Sequence, residues 1–483
     1  MTSIHSANLS ELCQPARAKF LRVAAIAVAA MLLLGAAALA GAQTVATVYN
    51  FAGGAAGAAN PWYVTLIQGT DGYLYGTTYN SGAHGMGTAF KVSTTGTFTL
   101  LHSFAGGTAD GANPSGGLTL GTDGNFYGTT IEGGAESEGV VFKMTTTGTI
   151  TILHSFNSAV DGAFPWQAPI EASNGDFYGT TASGVDNTGL VYQITSTGTY
   201  TTIYKFTQAV GYSPISAPAQ GTDGYLYIPV SLGGGEFCGA VVKISTAGVL
   251  QGSYSFPCEA GGSFPIGPLV QASNGNFYST TQDGGTEGEG TVYQLTTALA
   301  ATVLHSFGST FGDGEYPSAG LLLATDGNYY GSAAEGGTYD DGILFNTSTS
   351  GTYTDLYSFN NSANLMQMSP LSPPVQDTNG TLYGVTEFGG TKNDGTVYSL
   401  NMGLPAFVNS PLFTGKQESN VLILGEHLTG ASRVTFNGVP ASFAVKSDTH
   451  MTATVPKGAT AGYIEVTTES GVVKSRKIFR IQQ

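Results

Sequence analysis

From residue 43 onwards the chain is written in short runs of β-branched and aromatic residues that stop at Gly, Asn and Asp. Between residues 114 and 156 these runs are GLTL, TDGNFYG, VVFKM and TITILHSF, with the acidic stretch IEGGAESEG and the turn TTTG between the later ones. Apolar runs of this length bounded by Gly and Asn are the signature of strands. Asp-Gly and Asn-Gly supply the positive φ angles of tight turns whose twist matches that of the flanking strands. The pattern predicts four antiparallel strands in succession, the make-up of one propeller blade.

The pattern recurs along the chain. GTDGNFYGTT (121–130) has copies at GTDGYLYGTT (69–78), SNGDFYGTT (173–181) and GTDGYLYIPV (221–230), then at SNGNFYSTT (273–281), ATDGNYYGS (324–332) and DTNGTLYGV (377–385). The glycine of each turn falls at 72, 124, 175, 224, 275, 327 and 380. A near-constant period of that size marks an array of units, each unable to bury its own apolar face alone. A third-strand motif occurs seven times, from TAFKV (88–92) to TVYSL (396–400). The fourth-strand motif also occurs seven times, but out of phase: VYNF (48–51) precedes the first turn, whereas the last unit stops at SLNMG (399–403). The offset predicts an all-β, seven-bladed β-propeller over residues 43–403, closed by the N-terminal strand and left without a long free edge.

Residues 404–483 leave the period. Alternating strands separated by Gly, Asn and Pro turns fit a small immunoglobulin-like β-sandwich. The first 42 residues stand apart as well. Arg17, Lys19 and Arg22 precede VAAIAVAAMLLLGAAALA (23–40), and AGA at 40–42 fits cleavage before Gln43. That is the form of a secretory signal peptide; the alternative is an uncleaved anchor, since 18 apolar residues can just span a bilayer. No Cys follows the cleavage site, so a lipid anchor is not expected there.

Composition narrows the classes. Gly at 70 residues without a G-X-Y period excludes collagen, and 41% hydrophobic residues with 25 Tyr and 25 Phe exclude a disordered chain. Residues 43–403 hold 26 Asp or Glu against five Lys and no Arg, a net of −21, whereas 404–483 hold eight basic and five acidic residues, a net of +3. Nucleic-acid binding needs Lys and Arg to displace counterions, so no such partner is expected for the repeat array. Cys238 and Cys258 flank a predicted hairpin about STAG (245–248), and an even pair in an exported protein is a disulfide candidate.

Candidate chemistry lies in two kinds of loop. The acidic loops carry Glu132, Glu136 and Glu138, then Asp283, Glu287 and Glu289, then Glu335, Asp340 and Asp341. Carboxylates in Gly-rich loops can ligate Ca²⁺, the one cofactor this sequence suggests; the plainer reading is a solvated loop. Loops entering each first strand carry Trp62, Tyr63, Phe164, Trp166, Phe264 and Tyr316, which could stack on sugar rings or fill core between sheets. Asp110, Asp161 and Asp313 share a DG step, read either as a ring of carboxylates or as Asx-turns. His102, His154 and His305 share the LHSF motif, aligned with Asn50, Lys205, Tyr254 and Tyr357, which predicts an exposed outer-strand position. Lack of Arg excludes an arginine-clamped, sialidase-type site. A glycoside hydrolase needs only two carboxylates and so survives as an alternative.

With its DGxxYGTT, GxxFK and LHSF blocks recurring in order over about residues 44–402, the array resembles the GloVer tandem repeat of exported bacterial proteins. That resemblance implies a propeller-like fold and a surface or secreted location, and no agreed activity. Many such proteins carry a C-terminal sorting anchor; this sequence ends in KIFRIQQ, so anchoring by that route is not expected. VLILGEHLTG (421–430), VTFNGVPA (434–441), TATVPKGATAGYIEVTT (452–468) and Gly471 resemble an IPT/TIG domain, which implies a spacer or adhesive module. The expected function is non-catalytic binding of a glycan or a cell-surface protein by a secreted or surface-attached monomer with no membrane span after cleavage. A carbohydrate-active hydrolase and a structural envelope protein are the alternatives.

Overall fold

A computed structural model describes residues 45–317, 320–360 and 367–482; the signal segment 1–42 lies outside them. The fold is all-β, and among the described residues helix is confined to short 3₁₀ turns such as Val185–Asn187. No helix there is long and apolar enough to cross a membrane.

Seven four-stranded antiparallel sheets follow the repeat among the described residues. Sheet 2 runs through Thr119–Leu120, Phe126–Thr130, Val140–Met144 and Ile150–Ser155, and the other sheets copy it. Sheet 7 takes Val375–Gln376, Leu382–Thr386 and Thr396–Leu400 from the end of the array and Val45–Asn50 from its start. The borrowed strand pairs antiparallel, with Tyr49 opposite Val397. The second strand of each sheet is buried along its whole length, because sheets pack on both of its faces. Aromatic pairs carry much of that packing: Tyr75 stacks on Phe126 at 4.2 Å, Tyr127 on Phe177 at 3.8 Å and Tyr278 on Tyr329 at 4.3 Å. A cluster of Phe51, Leu66, Phe90, Tyr383 and Val397 joins sheet 7 to sheet 1, so the array closes on itself.

Each sheet has a turn end, where the Asp-Gly or Asn-Gly turn enters the second strand, and a loop end, where that strand finishes. At the turn end the repeated Asp explains the motif. Asp71 accepts hydrogen bonds from the Tyr75 hydroxyl at 2.8 Å and from Lys91 at 2.7 Å; Asp123 and Asp223 hold Tyr127 and Lys143, and Tyr227 and Lys243, in the same way. Side chains from the neighbouring sheet then cap these turns: Gln271 accepts from the Thr222 N–H at 2.8 Å, Gln376 from Thr325 at 3.0 Å and Gln68 from Thr378 at 3.3 Å.

At the loop end every sheet is entered through a residue followed by proline. Asn60, Asn113, Phe164, Ser213, Phe264, Tyr316 and Ser369 all hold φ between 51° and 58°. Non-glycine residues seldom adopt this conformation, and it costs on the order of 1 kcal/mol each. The arrangement that holds them is constant. The N–H of Phe164 donates to Glu138 O of the preceding sheet, and its carbonyl accepts from the Ala182 N–H of its own. The following proline lies on a glycine of the preceding sheet: a Cβ on Gly139, at φ +99°, would stand 2.7 Å from Pro165 Cδ. Gly395 meets Pro61 in the same way, so one joint recurs seven times around the array and the seventh closes it.

The disulfide forms between Cys238 and Cys258, with Cα atoms 5.3 Å apart, and closes a separation of 20 residues. In the chain-entropy model a loop of that size is worth about 3 kcal/mol.

The C-terminal residues build strands of their own around a separate core of Ile423, Val434, Phe436, Met451, Val466 and Phe479. They pack on the turn end: Leu424 joins the cluster of Tyr75 and Phe126, the Thr449 hydroxyl donates to Thr70 O at 2.7 Å, and Thr378 donates to Glu426 at 2.9 Å. Beside this contact Asp377 is 1% exposed and its Oδ1 has no partner. Burial and the neighbouring Glu426 push its carboxyl up to about 7. The folded state therefore holds a proton that the unfolded chain releases near pH 4, so the stabilisation is full below about pH 4 and is lost as pH rises through 7. Asp377→Asn is expected to stabilise the protein at pH 8 by on the order of 2 kcal/mol, with the gain shrinking towards pH 4. Urea unfolding at several pH values checks this; a difference independent of pH contradicts it.

Candidate functional site

The loop end gathers most of the residues singled out in the sequence. Trp62 and Trp166 each follow the proline of a joint, in sheets 1 and 3. Sheet 2 carries Ser115 and Gly116 at the matching positions, where a side chain on Gly116 would collide with Gln167 and the Trp166 carbonyl. The gap lets the two indoles meet edge to face, 5.3 Å apart. Tyr63 lies 5.4 Å from Trp62, and Tyr79 lies 5.0 Å from it. All four rings are half-buried. Two carboxylates border the group: Glu387 beside Tyr63 and Glu132 beside Tyr79, each raising the pKa of its tyrosine beyond the effect of burial. Burial pushes Glu387 itself up to about 7.

Tyr79 and Glu387 were not among the sequence candidates. They occupy one repeat position, directly after the second strand, where the other units carry Ile131, Ala182, Ser231, Gln282 and Ala334. Variation at that position, in the midst of near-identical residues, was the available signal. Phe164, Phe264 and Tyr316 take the strained position before proline, and among the described residues no ring contact joins them to the tryptophan group. Phe164 is 41% exposed.

The acidic candidates separate. Glu138 accepts hydrogen bonds from the N–H and the hydroxyl of Ser158, and Glu136 is exposed. In sheets 5 and 6, Asp283 is raised by burial and by Glu289, while Glu315 is raised by burial and by Glu289, Asp340, Glu335 and Asp313. Glu315 was missed in the sequence. Of these acids Asp313, Glu315 and Asp340 border an open cleft of about 510 Å³ that also exposes Phe311. Asp340 caps its own loop through the Gly336 N–H at 3.2 Å, Asp341 is engaged within the protein, and Glu287 is exposed. Among the described residues no three His, Cys, Asp or Glu side chains are placed to share a metal ion.

The reading of the histidines needs correction. Strand register puts Tyr49, Tyr204, Tyr254 and Tyr357, not Asn50 and Lys205, at the position of His102, His154 and His305. The position is not an exposed one. In every sheet this ring meets the Phe two residues later edge to face, at 4.8–5.5 Å. The three histidines also pair with the three DG-step aspartates: His102 with Asp110 at 3.0 Å, His154 with Asp161 at 2.9 Å and His305 with Asp313 at 3.2 Å. Each Asp also accepts N–H groups of its own loop, such as Gly111 onto Asp110 and Gly314 onto Asp313. These carboxylates therefore fasten the loop end rather than face a ligand.

Burial alone would raise Asp313, but the bonds from His305 and the Gly314 N–H outweigh it and hold the carboxyl below its ordinary value. A depressed pKa of this kind contributes stability above about pH 4 that is lost as pH falls through the folded value. Asp313→Asn is expected to cost about 1–3 kcal/mol at pH 7, with the gap closing in acid. Thermal melts at pH 7 and pH 2 measure it; an equal loss at both contradicts a carboxylate held ionised by its hydrogen bonds.

The sequence profile of the Gloeobacter/Verrucomicrobia repeat matches residues 38–237 and 215–430. No curated protein matches the chain. Among solved structures, the extracellular domain of a presumptive hybrid two-component system from B. thetaiotaomicron is similar at 12% identity and a TM-score of 0.47, covering 88% of this chain and 53% of that one. The chain thus spans about half the length of that relative. A presumptive 6-phosphogluconolactonase from Bacteroides uniformis is similar at 18% identity and a TM-score of 0.47, covering 69% of this chain and 93% of its own. Kuenenia stuttgartiensis hydrazine synthase is similar at 13% identity and a TM-score of 0.46, covering 70% and 95%.

Proposed function

The chain belongs to the Gloeobacter/Verrucomicrobia repeat family, and from that premise we propose that it is an exported, non-catalytic binding protein. In this reading residues 1–42 are a cleaved signal peptide, 43–403 a seven-bladed β-propeller, and 404–483 an IPT/TIG-like immunoglobulin sandwich carried on the opposite face. The product is a secreted or surface monomer. Its partner is a glycan, free or displayed on a cell-surface protein, and the loop end is the binding face.

The observation that supports this most is the meeting of Trp62 and Trp166 over the gap left by Ser115 and Gly116. Half-buried indoles beside Tyr63 and Tyr79 offer apolar faces for sugar C–H groups, and Glu132 and Glu387 offer acceptors for hydroxyls. A glycan-array screen of the exported protein, with and without calcium, is expected to give specific binding that falls at least tenfold in Trp62→Ala/Trp166→Ala. Binding unchanged in the double variant moves the site elsewhere, and no binding in either condition leaves protein interaction or a structural envelope role as the better account.

One observation favours a second reading as a hydrolase. Glu387, protonated near neutral pH beside the aromatic group, has the pKa of a general acid. A glycan found on the array and then cut by the wild type, but bound intact by Glu387→Gln, would establish that alternative.

A further inference from the structure

At the turn end, a cavity of about 980 Å³ lies between the first strands of sheets 3 to 6 and the C-terminal module. The array contributes mainly backbone, apolar groups and the amides of Gln220 and Gln271, which are occupied: Gln220 caps Ser173 and Gln271 caps Thr222, each also donating to a backbone carbonyl. Glu171 supplies the one acid of the lining, and both its oxygens take hydrogen bonds from Thr122.

The module contributes cations. Arg476, Lys477 and Arg480 line the cavity, although the whole array of 43–403 contains no Arg. The chain bends at Arg476 and Lys477 because buried Ser475 receives the Ile464 N–H on its hydroxyl and donates to the Lys477 carbonyl at 2.8 Å. That bend brings consecutive cations to one side, where an extended strand would part them. Both residues are half-buried and line the cavity. Burial depresses Arg476 to about 10, and burial together with the adjacent guanidinium depresses Lys477 to about 8.

Among the described residues no carboxylate pairs with this charge. Arg476 touches the Phe407 ring at 5.8 Å, but its Nε is buried without a hydrogen-bond partner. Elsewhere in the module Lys457 pairs with Glu418 and Lys474 with Glu465; Arg476 and Lys477 have no such partner among the described residues. An uncompensated buried charge pair is costly, and an anion in the cavity removes that cost. A guanidinium lining a cavity offers oxyanions a planar fork of N–H donors.

We propose that the cavity between the sheet array and the C-terminal module binds a small oxyanionic molecule, a carboxylate or a phosphate compound, through Arg476 and Lys477. It is a second site, at the end of the array opposite the tryptophans. Calorimetric titration of the full chain with glucuronate and, separately, with inorganic phosphate, at ionic strength held constant with sodium chloride, tests it. One site per chain is expected for at least one probe, and which probe binds assigns the ligand as a sugar acid or a phosphate. Arg476→Met is expected to weaken binding at least tenfold, Lys477→Met less, and Trp62→Ala/Trp166→Ala not at all. Without an anion, Arg476→Met is expected to melt no lower than wild type, since it removes an unpaired charge. No saturable binding of either probe to the wild type overturns the proposal, as does binding that survives in both cation variants.

Discussion

The joint between sheets governs this fold. A residue held at φ near +55°, the proline after it and the glycine of the preceding sheet form a contact with no slack: a methyl group on that glycine would meet Pro Cδ or a carbonyl oxygen. Close-packed interiors transmit such restrictions, so fixing the joint fixes the angle between neighbouring sheets. Since the same geometry is imposed at every junction, the turn from sheet to sheet accumulates evenly. A ring closes only when those equal steps match the number of units, and Gly395 against Pro61 is where the match is met.

The two ends of the array then diverge in chemistry. At the loop end the joint leaves the residue after proline free to vary, and the chain uses that freedom for Trp62, Trp166 and their neighbours. At the turn end, side-chain caps pass from one sheet to the next and the module covers several of them. The array is strongly acidic and the module basic, and the cations that line the turn-end cavity all come from the module. The ends thus present different chemistry: an aromatic face with carboxylates on one side, a cationic cavity on the other.

Much of the architecture was legible because it is repeated. The strands, their turns and the completion of sheet 7 by Val45–Asn50 follow from motif order and phase alone. The disulfide followed from hairpin geometry. What a single sequence hides is which side chains of different units meet. The indole pair depends on two small residues in the sheet between, and nothing in the spacing of Trp62 and Trp166 announces that. The His–Asp pairs are hidden because the copies VYNF and IYKF align with LHSF one residue away from Asn50 and Lys205, and an imidazole and a phenol ring fill the same edge-to-face slot. Asp377 and the Arg476–Lys477 pair acquire their environments only when the module docks, a contact across long sequence separations that no local pattern encodes.

The borrowed strand has a bearing on how the molecule reaches its native state. Residues 45–50 must wait for residues 396–400, so closure involves a chain loop of almost the full length of the array. Loop-closure entropy opposes so distant a contact, and rates fall as sequence separation grows. Six sheets can form from local hairpins as the polypeptide emerges, whereas the seventh stays open along Thr396–Leu400 until the first strand returns to it. For that interval the protein presents an unpaired edge to any other copy in the same condition. In chain order, the first strand of the array is therefore the last to find its place.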